Sequence, residues 1–296
     1  MQKQIWNVKD ILAWTANYFT EKKVDSPRIT AELLLGKTLS LSRVNLYLNY
    51  DRPLNEDELK KYKSYINRRV SGEPAQYIVG SQEFWSLNFK VTPDVLIPRA
   101  DTETLVSAVI DDIKERAKDS VKLLEIGTGS GIISVSIAHE LKEKLSIEIT
   151  ASDISQNALN IAKGNASANG VDDVVKFIVS DKFNNIDKGE KFDYIVSNPP
   201  YISKEFYDDL DKTVKDFEPK LALYGGDDGL IFYREILSLG YDYLKESGKL
   251  FFEIDFRKKE ELTALIDKNK FTDIAFHKDL ARHDRVLELS KKKGTK

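Results

Sequence analysis

The chain has 296 residues, no cysteine, three histidines and a formal charge of −3 from 45 basic and 48 acidic side chains. That length supports about two domains with cores of their own. The composition excludes disulfides, thiolate metal sites and a cysteine nucleophile, and the charge lacks the basic excess of a non-specific nucleic-acid binder.

The opening Met-Gln-Lys-Gln-Ile-Trp-Asn-Val-Lys-Asp lacks the basic-then-apolar pattern of a secretory signal. No window approaches the ~18 uninterrupted apolar residues of a membrane span. A cytoplasmic protein without membrane contact is expected. His139, His277 and His283 do not pair at metal-ligand spacing, so no metal site is expected.

Residues 1–75 carry 13 basic and 9 acidic side chains, leaving a net −7 for the rest, and they read as helices. Val8, Ile11, Leu12, Ala16 and Phe19 share one helical face. Ser26-Pro27 is a helix start, with Ser placed to cap and Pro suited to the first turn; Leu34 and Leu35 supply the apolar side. Asn55-Glu-Asp-Glu58 is a capping-box pattern flanked by Leu54 and Leu59 at staple spacing, and Leu59, Tyr62, Ile66 and Val70 continue the stripe. No acid–base pair, glycine loop or metal set falls in this region. It reads as a docking module for a macromolecular substrate or as a stabilising lid. Lys60, Lys61, Lys63, Arg68 and Arg69 are a contact patch or a solvated helix face. After Gly72, Tyr77–Val79 and Glu83–Val91 look extended, joined by Gly80-Ser81 as a hairpin between domains.

The remainder alternates strands and helices. Strands are expected at Val121–Ile126, Ile147–Ser152, Val174–Val179, Phe192–Ser197, Lys249–Ile254, Phe271–His277 and Arg285–Ser290. Helices are expected after Gly131 to about Lys142, from Ser155 to about Asn169, over Leu230–Glu246 and over Lys258–Asn269. This alternation predicts an α/β domain with a mostly parallel sheet covered on both faces, whose ligands bind at the carboxyl ends of strands. The domain plan is 1–75 helical docking domain, 76–95 hairpin linker, 96–290 catalytic domain and 291–296 basic tail without assigned function.

Three cofactor signals fall at strand ends. Glu125-Ile-Gly127-Thr128-Gly129-Ser130-Gly131 follows the first strand; glycines there let a backbone turn sharply and approach a ligand. The sixth position of the dinucleotide fingerprint is Ile132 instead of Gly, and the acid-preceded G-x-G-x-G resembles the loop of methyltransferases that use S-adenosyl-L-methionine. A glycine cluster that only packs helix on strand is the alternative. Asp153, 26 residues after Gly127, is placed to accept both ribose hydroxyls or to cap a helix. Asp181 is placed for the adenine amine, with Lys182 or Phe183 flanking the ring.

Asn198-Pro199-Pro200-Tyr201 closes the fourth strand. Consecutive prolines have fixed φ and no amide hydrogen, and residues before proline are held extended, so the Pro199 carbonyl is stiff and free of local bonding. With the Asn198 side-chain oxygen it forms a pair of acceptors suited to the two hydrogens of a planar NH2 group, on which Tyr201 can stack. Such a nitrogen is a poor nucleophile because its lone pair is delocalised. Orienting it toward a sulfonium methyl is a proximity effect, and the same oxygens stabilise charge developing on nitrogen. No dedicated base is needed. A mere turn is the plain alternative.

Further strings accompany these motifs: Glu73-Pro-Ala-Gln-Tyr-Ile, Gly80-Ser-Gln-Glu-Phe-Trp85, Leu96-Ile-Pro-Arg-Ala-Asp-Thr-Glu103, Glu218-Pro-Lys-Leu-Ala-Leu-Tyr-Gly-Gly-Asp-Asp-Gly229 and Asp279-Leu-Ala-Arg-His-Asp-Arg285. With them the chain resembles the release factor glutamine methyltransferase family over nearly its whole length. The resemblance implies a Rossmann-like methyltransferase domain behind a helical domain that grips a class 1 peptide release factor. It also implies S-adenosyl-L-methionine as cofactor and methylation of the glutamine nitrogen in the release factor's Gly-Gly-Gln loop. Gly127–Gly131, Asp153, the position of Lys182 and Asn198 would contact the cofactor, and Asn198–Tyr201 the glutamine. The family pattern has Pro at Ala100, an aromatic at Lys182 and Gly at Arg282. A monomer that does not bind nucleic acid directly is expected. The alternatives are an adenine-N6 nucleic-acid methyltransferase, which shares Asn-Pro-Pro-Tyr, and a non-catalytic cofactor-binding scaffold.

Overall fold

In the computed structural model, residues 5–293 are described; the first four residues and 294–296, the end of the expected basic tail, lie outside them. Two compact units divide the chain: Met1–Ser81 with Asp211–Phe217, and Gln82–Leu210 with Glu218–Lys296.

The first unit contains α1 (Val8–Glu21), α2 (Pro27–Leu39), α3 (Arg43–Leu48), α4 (Glu56–Val70) and α5 (Ala75–Val79). Val8, Leu12, Phe19, Leu34, Leu35 and Tyr62 are fully buried in one core, as the helical spacing requires. The capping box of α4 is present: the Asn55 side chain accepts from the Glu58 amide (2.9 Å) and the Glu58 carboxylate from the Asn55 amide (3.0 Å). Ser26 differs from expectation. Pro27 opens α2, but Ser26 sits at φ +45° and its side chain makes no cap bond. Among the five basic residues of α4, Lys60, Lys61, Lys63 and Arg68 are exposed, whereas Arg69 is buried beside the carboxylates of Asp25 and Asp211.

The expected hairpin moves by one segment. Ala75–Val79 is helix, stopped by Gly80 at φ +80°. The hairpin is β1 (Ser81–Phe84) and β2 (Leu87–Lys90). Its two-residue turn, Trp85-Ser86, has φ of +54° and +58°, the positive values that match the strand twist. Neither residue is a usual choice there, so no turn signal marked it.

The second unit continues with α6 (Thr102–Arg116), β3 (Ser120–Ile126), α7 (Ile132–Leu141), β4 (Ser146–Asp153), α8 (Gln156–Ala168), β5 (Val175–Val179), β6 (Phe192–Ser197) and α9 (Lys204–Asp208). The short α10 (Lys212–Lys215) lies in the segment belonging to the helical unit. Then come α11 (Ile231–Tyr243), β7 (Leu244–Glu253), α12 (Lys259–Ala264), β8 (Phe271–Lys278) and β9 (Asp284–Lys291). Lys291, expected in the tail, ends β9. The expected helix over Lys258–Asn269 is shorter, and α6 was marked by no motif.

The sheet order is β5-β4-β3-β6-β7-β9-β8. β5 through β7 are parallel, and β9 runs antiparallel to both β7 and β8. Alternate residues feed two cores: Leu123 and Val196 pack with α6 and α7 on one face, Leu124 and Ile195 with α11 on the other. Strand order reverses between β3 and β6, which opens a crevice at their carboxyl ends.

Asn165 on α8 ties the hairpin to the glycine loop. Its Oδ1 accepts from the Lys90 amide (2.8 Å), and its Nδ2 donates to the Lys90 carbonyl (3.1 Å) and the Ser130 carbonyl (2.8 Å). Asn165→Ala removes these three bonds, the one to the Ser130 carbonyl buried and the two to Lys90 part-buried, and is expected to cost about 2 kcal/mol, read as a lower midpoint in urea unfolding at unchanged slope.

Candidate active site at the strand-order reversal

A cavity of about 410 Å³ opens at the carboxyl ends of β3, β4 and β6. It gathers Glu125, Gly127, Thr128, Gly129 and Ser130 from the first loop, Asp153 from the second, Asp181 and Lys182 from the third, and Asn198, Pro199 and Pro200 from the fourth. Gly131, Phe183 and Tyr201 do not line it. Gly131 lies against α8, where a Cβ would come 3.1 Å from the Ala162 Cβ. Phe183 is buried in the core, stacked on Tyr243 at 4.7 Å. The aromatic ring that does reach the wall is Phe232 of α11, beneath the Lys182 ammonium at 5.3 Å. No motif pointed to it, because it lies 50 residues beyond Lys182 in sequence. The Lys182 ammonium is paired with Asp181 (3.1 Å) and Glu235 (2.6 Å).

The glycine loop fits a ligand pressed onto bare backbone. A Cβ built on Gly127 or Gly129 would meet no atom within 4 Å, so the space beside them is open. Asp153 braces the loop, accepting from the Gly129 amide (2.8 Å) through Oδ2 and from the Ser155 amide (2.9 Å) through Oδ1. Ser155 caps α8 by accepting from the Ala158 amide.

Glu125 is fully buried at the cavity wall. Its Oε2 accepts from the Thr128 hydroxyl (2.7 Å) and from the amide (3.2 Å) and hydroxyl of Ser134, whereas Oε1 has no partner. Burial pushes its pKa up to about 7, against the pull of the Ser134 and Thr128 hydrogen bonds, with Asp153 adding repulsion. An orphaned buried acceptor and an uncovered backbone cradle in one cavity suit a cofactor with a cationic donor and close backbone contacts.

The Asn198–Tyr201 loop is held from several sides. Asn198 Nδ2 donates to Thr102 Oγ1 (3.2 Å), which donates to Glu253 Oε2 (2.6 Å), and the Tyr201 hydroxyl donates to Glu253 Oε1 (3.2 Å). Tyr201 is thus turned into the core instead of the cavity. No amide among the described residues donates to the Pro199 carbonyl. Behind the loop the chain of Leu223–Gly229 approaches so closely that a Cβ on Gly225 would lie 2.6 Å from the Pro200 carbonyl oxygen and 2.7 Å from the Tyr201 Cα.

Leu96–Arg99, Thr102, Pro219, Leu221 and Ala222 of the remaining strings also line the cavity. Glu218 accepts from the Ile97 amide (3.2 Å) and the Arg99 guanidinium (2.6 Å). Glu103 accepts from the Trp85 amide (3.0 Å). Arg285 pairs with Asp101 (3.0 Å) and Asp279 (3.1 Å). Arg282, where the family pattern has Gly, takes φ +66°, the conformation glycine adopts freely.

Glu125 sets a pH dependence of stability. Unfolded, it ionises near 4.5; folded, only near 7. The folded state therefore holds an extra proton between those values, and stability falls as pH rises through that window, by about 3 kcal/mol for this group. Glu125→Gln removes the titration. Its stability advantage over the parent, measured by denaturation, is expected to be small at pH 5 and to grow to a plateau above pH 8.

Comparison with known proteins agrees with this architecture. The PrmC N-terminal domain model matches residues 10–80, and the methyltransferase small domain model matches 101–216. Release factor glutamine methyltransferase from Rhodopirellula baltica is 38% identical over 97% of this chain and 97% of its own. The enzyme of that name from Francisella tularensis is 39% identical over 95% and 96%. Among solved structures, the catalytic domain of hMettl16 in complex with MAT2A 3′UTR hairpin 6 superposes with a TM-score of 0.55 at 14% identity, covering 77% of this chain and 81% of that one; the likeness is one of fold. Identity of 38–39% over nearly the full length, with matching domain models over residues 10–80 and 101–216, places the chain in the release factor glutamine methyltransferase family.

Proposed function

We propose that the chain transfers a methyl group from S-adenosyl-L-methionine to the side-chain amide nitrogen of the glutamine in the Gly-Gly-Gln loop of class 1 peptide release factors. The observation that carries this reading is the position of Asn198 and Pro199 at the cavity wall, where one side-chain and one backbone carbonyl can accept the two hydrogens of a planar NH2 group.

S-adenosyl-L-methionine supplies a methyl group on a sulfonium, already activated for displacement. Gly127–Gly129 would meet it with bare backbone, Asp153 would offer carboxylate lone pairs to ribose hydroxyls, and Glu125 would accept from its ammonium. Lys182 and Phe232 would border its base, with Asp181 beside them on the cavity wall. On the substrate side, Asn198 and Pro199 hold the amide so that its nitrogen faces the methyl, and their oxygens stabilise the positive charge that grows on nitrogen. The methylated nitrogen is then acidic and releases a proton to water, so no base is required.

The helical unit, residues 1–75 in the sequence plan, docks the release factor; residues 76–95 link it to the catalytic part, 96–290. The enzyme works as a cytoplasmic monomer without direct nucleic-acid contact, a reading supported by the net charge of −3 and by the use of release factors in translation termination. No helix among the described residues is long and apolar enough to cross a membrane.

Purified release factor incubated with enzyme and cofactor should gain one methyl group on one glutamine by mass spectrometry. Asn198→Ala should reduce the rate by about a hundredfold or more, the scale of losing one transition-state acceptor. Unlabelled release factor alongside labelling of another substrate would remove the substrate assignment.

A further inference from the structure

We infer that Glu253 is a positioning residue: acting through the Thr102 hydroxyl, its carboxylate sets which end of the Asn198 amide faces the cavity. The inference rests on the reading of Asn198 as an acceptor for the substrate amide.

An asparagine side chain fits its site almost equally well either way round, because O and NH2 differ little in size. Shape therefore does not select the orientation; hydrogen-bond polarity does. Reversed, Asn198 would offer the substrate two donors in place of an acceptor, and the NH2 group would be repelled. Glu253 ends β7 and is 1% exposed; Thr102 is fully buried as the first residue of α6. Ionised, Glu253 can only accept. It takes the single Thr102 hydroxyl hydrogen at 2.6 Å, which leaves Thr102 Oγ1 nothing but lone pairs toward Asn198. Asn198 must then present its NH2 group, as it does at 3.2 Å, and Oδ1 is directed away from Thr102. The reverse orientation sets two lone pairs against each other in a buried place, at the cost of an unmade hydrogen bond.

The same carboxylate holds the far end of the loop, accepting from the Tyr201 hydroxyl through its other oxygen at 3.2 Å. The ionised form has help. Arg285 faces Glu253 as a cation, and Thr102 brings the positive end of the α6 dipole. Asp101, Asp255, Tyr201 and Tyr233 are the other titratable groups around it. Burial pushes the Glu253 pKa up against the Thr102 bond and the Arg285 charge.

The relay is tested with Thr102→Val, which keeps shape and removes the hydroxyl, and Thr102→Ser, which keeps the hydroxyl. Thr102→Val should lower kcat on release factor by about ten- to a hundredfold, the scale of a misoriented reacting group, with KM and the calorimetric Kd for the cofactor within about twofold. Thr102→Ser should restore kcat to within about threefold. Independently of turnover, the 15N-labelled Asn198 NH2 group should exchange its bonded hydrogen about tenfold faster in Thr102→Val and in Glu253→Gln. Should Glu253→Gln fail to fold, the two Thr102 variants decide. Wild-type kcat and NH2 exchange in Thr102→Val, with Asn198→Ala inactive, overturns the relay and leaves the amide reading standing. An active Asn198→Ala overturns that reading itself. Equal loss of cofactor affinity and kcat in Thr102→Val makes Thr102 a structural residue and also overturns the relay.

Discussion

The proposed role of Asn198 and Pro199, to hold the two hydrogens of a planar amide, calls for acceptors that do not move, and the surroundings of Asn198–Tyr201 are rigid. Two prolines stiffen the loop locally. Stiffness within four residues is not enough, because the loop could still rotate as a body. The backbone of Leu223–Gly229 removes that freedom. Ile202 donates to Leu223 (3.0 Å), Gly225 donates to Ile202 (2.9 Å), and Gly225 lies where any side chain would strike the Pro200 carbonyl. The Gly-Gly-Asp-Asp-Gly string has its physical explanation here: it is the back wall of the Asn198–Tyr201 loop.

Buried carboxylates perform the remaining alignment, each in a different way. Glu218 joins the Ile97 amide and the Arg99 side chain across 121 and 119 residues of sequence. The half-buried Asp153 accepts from the Gly129 amide of the glycine loop and from the Ser155 amide at the start of α8. Glu253 connects β7 to α6 and to the Asn198–Tyr201 loop. Glu125 stands apart, since one oxygen is fully engaged and the other is left without a partner. Burying such an oxygen is costly, and the raised pKa of Glu125 reflects that cost. The stability given up at this position leaves an unpartnered acceptor on a residue that lines the cavity, a pattern common to binding sites.

Much of the fold was legible because the relevant signals are local. Strands β3, β4, β5 and β6 appear within a residue or so of their expected limits, since apolar runs bounded by turn residues depend on near neighbours. The capping box at Asn55 and the helix cap at Ser155 are likewise short-range chemistry. Ser26 and the hairpin were misread for the opposite reason. Backbone at Ser26, Trp85 and Ser86 adopts positive φ without glycine or asparagine, so tertiary packing overrode local preference. The segment Asp211–Phe217 joins the helical unit although it lies far along the chain, and composition carries no trace of that return.

The glycine loop, Asp153 and Asn198–Pro200 were readable from sequence because each is a rigid strand-end motif whose chemistry lies in adjacent residues. Sequence alone could not say that Phe183 turns into the core while Phe232 borders the cavity, or that Tyr201 faces Glu253. It could not link Thr102 to Glu253, which are 151 residues apart. Those facts follow from which side of a strand or helix meets another element once the sheet is assembled. A hydrogen bond or ring contact across such a distance leaves no periodic mark on the chain, and only the packed structure brings its two ends together.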